Sequence, residues 1–418
     1  MKNLLIVAND FPFPISGGNI RMFKLIKYLS RKKDLKIFLL INKSKDDKLH
    51  EIDFLRDVTI FFTNDNSPII SDIVYKRSTE TCKLDYFKNK LKFFLKKFIF
   101  VDKYLYLWVF PCLSKYFKIL NNYKIDYVIT TSPTVSTHFF ALFSKIYIKN
   151  ILWIADFRDL WFLSPEIKRK SKITKFFYYQ IEKLILIKSD YNIFVSNSIK
   201  EITINNFKLN DSNKCHVITN GFDPDDFNFL EFRKVKDEIF QIGYFGTIYD
   251  ERQNNCLCET LIKYKKQLES EKIIFLFFGE FNELYIRKFD TLIQHGLVVF
   301  NSNLNHKDAL NKMSKMDALL LILTNSLEGK IALTGKFFEY IKIGKPVLAL
   351  VPENSEVSNF VTKNDIGITS MPDNIDEIYN SIIKIKTTQF NILNEDVLNN
   401  YSRENTSELF YKLLTKDS

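Results

Sequence analysis

Lys336 and Glu339 are the residues of this chain whose types and spacing most directly suggest chemistry. They follow Gly335 in Thr334-Gly335-Lys336-Phe337-Phe338-Glu339-Tyr340, with Gly344-Lys345-Pro346 close behind. The pattern predicts a helix opening at Gly335, with Lys336 in its first turn and Glu339 one turn later on the same face. As a plain surface pair this order is unfavourable. A cation near a helix N-terminus opposes the dipole, and acid before base is the better arrangement. A bound phosphate would cancel that penalty, held by Lys336 and the free N–H groups of the first turn, and Glu339 could then accept ribose hydroxyls. A P-loop is excluded twice over. It needs four residues between its glycines where five separate Gly329 from Gly335, and Phe337 replaces the magnesium-binding hydroxyl.

Two further stretches carry candidate chemistry. Asp156-Phe157-Arg158-Asp159-Leu160-Trp161 follows an apolar run. Charges at the end of a buried strand must pair with each other or meet a ligand, so the stretch is either a structural Asp–Arg pair or a reacting centre. Near the start, Gly17 and Gly18 precede an amphipathic helix. They form either an ordinary glycine turn or a place where backbone N–H groups approach a phosphate. No G-x-G-x-x-G occurs anywhere, which counts against a nicotinamide dinucleotide site.

The elements that must position these groups follow from hydropathy. Strand candidates Leu4–Ala8, Lys36–Ile41, Val58–Phe62, Tyr127–Thr130, Ile151–Ala155, Tyr191–Val195 and His216–Thr219 alternate with helical patterns such as Ile20–Leu29 and Thr137–Ile148. A second series has strands Ile242–Phe245, Ile273–Phe278, Ala318–Leu323 and Val347–Val351, with helices around Leu257–Leu268, Lys307–Met313 and Lys336–Ile343. Continuous apolar strands alternating with helices predict parallel sheets covered on both faces. The fold class is therefore α/β, with two Rossmann-like doubly wound domains facing a cleft. Ligands in such folds sit at the carboxyl ends of the strands. Asp223–Glu238, polar and carrying Pro224, is the linker candidate, and Val397–Leu414 is a terminal helical pattern. The expected domains are 1–230, 231–395 and a closing helix in 396–418.

Composition agrees with two or three folded domains, since 418 residues at about 150 per domain set that range. With 46% apolar and 26% charged residues each domain can bury a core, and disorder, collagen and coiled coil are out. No apolar run approaches the roughly 18 residues of a membrane span, and Leu4–Ala8 is too short for a signal-peptide core. The five cysteines are scattered, Cys256 and Cys258 form C-x-C, and histidines are few, so neither a disulfide framework nor a zinc site is indicated. A cytoplasmic protein with neither feature is expected.

Charge is unevenly divided. Residues 1–230 hold 37 basic and 23 acidic residues, net +14, whereas residues 231–418 hold 23 and 26, net −3. A lysine-rich composition does not explain why the excess sits in one half; an anionic partner does. Residues 83–118 contain nine lysines, two acids and twelve aromatics. Leu84, Phe87, Leu91, Phe94, Leu95 and Phe98 follow helical spacing, with Lys88, Lys92 and Lys96 along another face and Lys97 beside them. The segment reads either as a basic amphipathic helix on an anionic membrane or as core on one face and solvated lysines on the other. Lysine without arginine, and without an RNA-binding motif, disfavours nucleic acid.

In order and spacing the motifs together resemble the GT-B glycosyltransferases, family 4-like, over nearly the whole chain. They are the Gly17-Gly18 loop with Arg21, Ser132-Pro133 with His138, Asp156 to Trp161, Asn220-Gly221-Phe222-Asp223, Gly243-Tyr244-Phe245-Gly246-Thr247, and Thr334 to Tyr340 with Gly344-Lys345-Pro346. The resemblance implies that the second domain binds a nucleotide-diphosphate sugar, that the first binds the acceptor, and that the last helix crosses back to the first. It implies no metal or other cofactor. Gly335, Lys336, Glu339, Gly246, Thr247 and Arg252 are then the expected donor residues, with Gly17 and Gly18 meeting the same diphosphate. Fixed positive groups there would stabilise the departing diphosphate more in the transition state than in the ground state. Asp156, Arg158 and Asp159 would position the acceptor or take its proton.

Two departures from the family pattern stand out. Many members carry E-x7-E, and counting back from Glu339 places Ile331 at the first Glu; Glu328, which makes E-x10-E, is then the expected donor-binding acid in its stead. Many also place a catalytic histidine where this chain has Arg158-Asp159. His138 is the one histidine near a motif, either catalytic or packed.

The resulting expectation is a hexosyltransferase-type glycosyltransferase of bacterial surface polysaccharide synthesis (O-antigen, capsule or exopolysaccharide), with retention favoured by the resemblance. Its acceptor would be lipid-linked or a saccharide, and it would sit peripherally on the inner face of the cell membrane. The alternatives are a GT-B nucleotide-sugar epimerase, which needs no second substrate and no membrane face, and an inactive glycosyltransferase-like binding protein lacking the first Glu.

Overall fold

The computed structural model describes residues 1–9, 11, 20–42, 49, 52–63, 108–132, 135–148, 150–230, 238–248 and 255–416. The expected donor residues Gly17, Gly18 and Arg252, the expected membrane lysines Lys88, Lys92, Lys96 and Lys97, and Pro133 lie outside the described residues. The chain forms two compact units, Met1–Thr219 with Thr406–Ser418, and Asn220–Asn405.

The first unit is built on a seven-stranded parallel sheet of β1 (Lys2–Ala8), β2 (Leu35–Ile41), β3 (Thr59–Phe62), β4 (Tyr127–Thr131), β5 (Leu152–Phe157), β6 (Tyr191–Phe194) and β7 (Cys215–Val217). Its strand order is β3-β2-β1-β4-β5-β6-β7. The second unit has β8 (Phe240–Phe245), β9 (Ile273–Phe278), β10 (Val298–Asn301), β11 (Ala318–Ile322), β12 (Val347–Leu350) and β13 (Gly367–Ser370), in the order β10-β9-β8-β11-β12-β13 and again all parallel. Both are doubly wound Rossmann-like sheets. The order reverses between β1 and β4, and again between β8 and β11, so each unit has one switch point where a ligand fits at the strand ends.

The central strands are apolar on both faces, as burial between two helical layers requires: Leu4–Ala8 of β1 and all of β11 are buried. The β4–β5 register places Thr131 beside Asp156, which fixes the polar end of the first sheet. Two strands, β10 and β13, carry no expectation from hydropathy. They are the two edges of the second sheet, and their short sequences VVFN and GITS are only partly buried.

Two boundaries move. The first unit ends at Thr219 rather than at residue 230, because the next residues are stitched into the second unit. The Phe222 N–H donates to the Tyr401 carbonyl at 3.1 Å, and the Phe222 carbonyl accepts from the Arg403 N–H at 2.7 Å. A Cβ on Gly221 would lie 2.1 Å from the Tyr401 carbonyl oxygen, so only glycine permits this approach. The same contact breaks the expected helix Val397–Leu414 into Glu395–Asn399 and Arg403–Thr415. Phe410, Leu413 and Leu414 of the last helix belong to the core of the first unit.

Candidate functional site

In the second unit the switch point brings together Gly246 and Lys336, two of the expected donor residues. β8 ends at Phe245, and Gly246 follows with φ +137°, a conformation that L side chains rarely adopt. A Cβ there would lie 2.0 Å from Lys336 Nζ, so the Lys336 ammonium rests against the backbone at the end of β8. It also lies 4.7 Å from the centroid of the Tyr244 ring. Lys336 projects from the first turn of the helix Gly335–Ile343, whose start is capped by the Thr334 hydroxyl accepting from the Phe337 N–H at 3.3 Å. Asn220 Nδ2 donates to the Leu333 carbonyl at 3.2 Å and steadies the turn ahead of that cap. Thr247 follows Gly246 and is half-buried.

Glu339 sits one turn beyond Lys336, and its nearest partner is His306: Oε1 is 2.8 Å from Nε2. Asp226 Oδ2 lies 3.9 Å from the other ring nitrogen. Side-chain exposure of 19% for Glu339 and 44% for His306 leaves this pair open to an incoming hydroxyl. Glu328 lies in the first turn of the separate short helix Leu327–Ile331, and Ile331 is buried, so the position of the family's first Glu is part of the apolar interior. The arrangement that remains offers a cation at the positive end of a helix and a carboxylate one turn away. Groups of these types can in principle hydrogen-bond a phosphate and a hydroxyl.

The first unit treats its charges differently. Asp156 at the end of β5 is wholly buried, and so is Arg21 of the helix Ile20–Leu29. Arg21 Nε and Nη2 donate to the two Asp156 oxygens at 3.2 and 2.9 Å, and the Thr131 hydroxyl donates to Oδ2 at 3.0 Å. The guanidinium also donates to the Thr219 and Ile218 carbonyls at 2.6 and 2.9 Å. Asp156 is thus half of a buried Asp–Arg pair, but its partner is Arg21 and not Arg158. A carboxylate held this way is not placed to take a proton from an acceptor. It ties the ends of β4, β5 and β7 to the first helix.

Arg158 and Asp159 come next in the chain. The Arg158 N–H donates to Ser132 Oγ at 2.8 Å, and Nη1 to the Ser132 carbonyl at 3.3 Å. Burial works against the Arg158 charge, while Asp159 and Asp156 support it. Asp159 is exposed and is the carboxylate of this trio that faces solvent.

His138, early in the helix Ser136–Tyr147, is wholly buried. Its Nδ1 lies 2.7 Å from the Thr130 hydroxyl, which accepts from Trp153 Nε1 at 2.8 Å, and its ring packs on Phe157. Burial pushes its pKa down to about 3 although Asp156 pulls the other way, so the ring is neutral at physiological pH. The expected catalytic histidine is therefore a packed one.

Two functional-looking groups carry no sequence signal. His306 meets Glu339 across 33 residues and follows only an ordinary helix cap, Asn305. Glu182, in the helix Lys172–Lys188, is buried and accepts from the Phe162 N–H at 2.8 Å, fastening the loop that carries Arg158 and Asp159. Among the described residues, no group of three or more His, Cys, Asp or Glu is placed to hold a metal ion.

No protein-family model matches the chain. An uncharacterised glycosyltransferase of Methanocaldococcus jannaschii is 24% identical over 276 residues, covering 63% of this chain and 67% of that protein. Among solved structures, a glycosyltransferase from Rickettsia africae superposes with a TM-score of 0.66 at 17% identity, covering 100% of this chain and 99% of that one. Two Rossmann-like domains of this kind make the GT-B fold. The lipopolysaccharide outer core galactosyltransferase WaaB shares it, with a TM-score of 0.62, 13% identity and full coverage of both chains. So does the UDP-GlcNAc 2-epimerase of Neisseria meningitidis bound to UDP-GlcNAc, at 0.56 and 15% identity over 100% of each chain.

Proposed function

We propose that this chain is a glycosyltransferase that moves a sugar from a nucleotide-diphosphate donor bound in the second unit to an acceptor met by the first. The observation that carries the reading is Lys336 Nζ held against Gly246 at the β8–β11 switch point. In this reading the ammonium and the start of its helix take the charge that builds on the departing diphosphate, the role a metal ion plays elsewhere. Thr247 follows at the same strand end, and Glu339 accepts the ribose hydroxyls; Arg252, Gly17 and Gly18, outside the described residues, are further candidates for the diphosphate. Arg158 and Asp159 orient the acceptor, with Asp159 the carboxylate open to its proton, and Asp156 is a positioning residue. Support comes from the sequence motifs, from the similar archaeal glycosyltransferase and from the shared fold.

The finer reading is a hexosyltransferase of bacterial surface polysaccharide synthesis, retaining, acting on a lipid-linked or oligosaccharide acceptor from the inner face of the membrane. The similar lipopolysaccharide galactosyltransferase favours that setting. A thermal-shift screen of UDP, GDP and their sugars tests the core of the proposal. Stabilisation by one nucleotide family that disappears in Lys336→Ala supports it; no stabilisation by any of them removes it. The epimerase reading is favoured by the epimerases of the same fold. Incubating a bound UDP-sugar with the protein and no acceptor separates the two, because an epimerase turns over with that single substrate.

A further inference from the structure

One helix of the first unit carries two apolar faces. Lys172–Lys188 turns Tyr178, Ile185 and Leu186 into the interior. On the opposite side Ile173, Phe176, Phe177, Leu184 and Ile187 fall within a sector of about 100° at the helical repeat. All five are exposed, Phe176 at 58% and Ile173 at 57%. Gln180, also exposed, is the polar residue within that sector. A surface helix ordinarily keeps that side polar, and a mainly apolar stripe marks a docking face. The neighbouring helix Ser136–Tyr147 packs beside it and ends in Ile146 and Tyr147, exposed at 57% and 73%.

The charge around the stripe identifies what covers it. Lys168, Arg169 and Lys170 lead into the helix, Lys172 opens it and Lys188 closes it, all exposed. On the helical repeat Lys172 and Lys183 flank one edge of the stripe and Lys188 the other. Residues 165–188 hold seven Lys or Arg and two acids, of which Glu182 faces the interior. A second copy of the chain would bring this basic rim against itself in a two-fold interface. An anionic bilayer accepts both features, with the apolar stripe at the headgroup–acyl boundary and the lysines among the phosphates. No helix among the described residues is long and apolar enough to cross a membrane, so the contact is one of lying on the surface.

We propose that this face of Lys172–Lys188 docks the first unit on an anionic lipid surface. The proposal deepens the lipid-linked acceptor reading above and rests on it for its purpose, though the contact itself needs no activity. Trp161 packs on Tyr178 with ring centroids 5.0 Å apart, and the Phe162 N–H is held by Glu182. The loop bearing Arg158 and Asp159 is therefore fixed to the inner side of the helix, roughly a helix diameter, about 10 Å, from the lipid.

The test is co-sedimentation of the full chain with phosphatidylcholine vesicles, with and without phosphatidylglycerol. Binding should require phosphatidylglycerol and weaken as salt is raised. The double variant Phe176→Ser with Phe177→Ser, and separately Lys168→Glu with Lys170→Glu, should each reduce it by about tenfold or more. All four positions are exposed, so melting temperature and nucleotide binding should stay at wild-type values. Equal binding to both vesicle types, or binding that both variants retain, overturns the proposal. So does a concentration-dependent dimer in light scattering that the phenylalanine variant abolishes while wild type ignores vesicles; the face would then belong to a second copy. Vesicle binding with no nucleotide response would instead keep the docking face and remove the donor reading.

Discussion

At the carboxyl end of the first sheet, Asp156 and Arg21 are buried and bonded on both sides of the pair. At the corresponding end of the second sheet, Lys336 and Glu339 are only half-buried, one against a glycine backbone and the other beside a solvent-exposed histidine. The two sheets share a strand order up to one extra strand, so the difference is not topological. It lies in what satisfies the charge. Where a charge is wholly buried and bonded, it holds the fold; where a cation and a carboxylate stay partly exposed at a helix start beside a strand end, they remain accessible to a ligand.

The largest effect should follow from breaking the first arrangement. Asp156→Ala leaves the Arg21 guanidinium buried without its carboxylate, a change worth about 3–5 kcal/mol. Urea unfolding should show that loss, and the folded fraction should still bind nucleotide through the second unit. If stability is unchanged and activity alone falls, Asp156 belongs to the reacting centre and the contrast between the sheets collapses.

Glu182 sharpens the comparison, because it is a buried acid with a single backbone donor. Burial raises its pKa from 4.5 to about 8, against the Phe162 N–H that lowers it. Between those values the folded chain keeps a proton that the unfolded chain has released. Its contribution is therefore complete below pH 4.5 and is lost as pH rises to about 8. The slope should not exceed about 1.4 kcal/mol per pH unit. His138 acts in the opposite sense, costing stability as pH falls from 6.5 toward about 3. Melting curves of Glu182→Gln and wild type across this range should diverge on the alkaline side, with the variant flatter; parallel curves would show that the carboxyl is ionised throughout.

Lys336→Ala should leave the melting temperature unchanged and weaken nucleoside diphosphate binding. The loss of one charge-assisted contact is worth about 1.5–3 kcal/mol, roughly tenfold to a hundredfold in Kd. Isothermal titration with UDP and with uridine divides the outcomes. A loss confined to the diphosphate assigns Lys336 to phosphate, whereas equal losses would mean that the lysine supports the pocket by packing on Tyr244.

These contrasts were only partly legible in the sequence. Continuous apolar runs mark the central strands, because burial on both faces leaves no polar alternation; β10 and β13 escape because an edge strand needs less burial. The helix at Gly335 is readable from its glycine, its periodicity and Thr334. Its consequence is not, since the approach of Lys336 to Gly246 depends on the β8 end turning at a positive φ. Arg21 reaches Asp156 across 135 residues, so local spacing suggested Arg158 as the partner instead. The break at Tyr401 is hidden for the same reason: Tyr401 keeps packing on Phe338 as a helical residue would, while Phe222 takes its carbonyl and the Arg403 N–H. Local pattern sets the elements, and distant partners decide which charges are structural.

The smallest effect concerns Glu339, where the contrast between saturated and open charge is least sharp because His306 already sits 2.8 Å away. Glu339→Gln keeps an oxygen that can accept from the imidazole but removes the negative charge that would strengthen bonds from the ribose hydroxyls. Because the carboxylate is partly exposed, the loss should be about 1 kcal/mol, below the range for buried charged bonds and close to fivefold in donor affinity. A 2′,3′-dideoxyribose donor makes the measurement specific. Wild type should bind it more weakly than the normal donor, and Glu339→Gln should bind the two with nearly equal affinity, since the hydroxyls have lost their charged acceptor. If the substitution costs the same with either donor, Glu339 serves His306 and the helix His306–Ser314 alone. The second sheet would then also spend its carboxylate on structure, and Lys336 would be left as the ligand-facing charge of the pair.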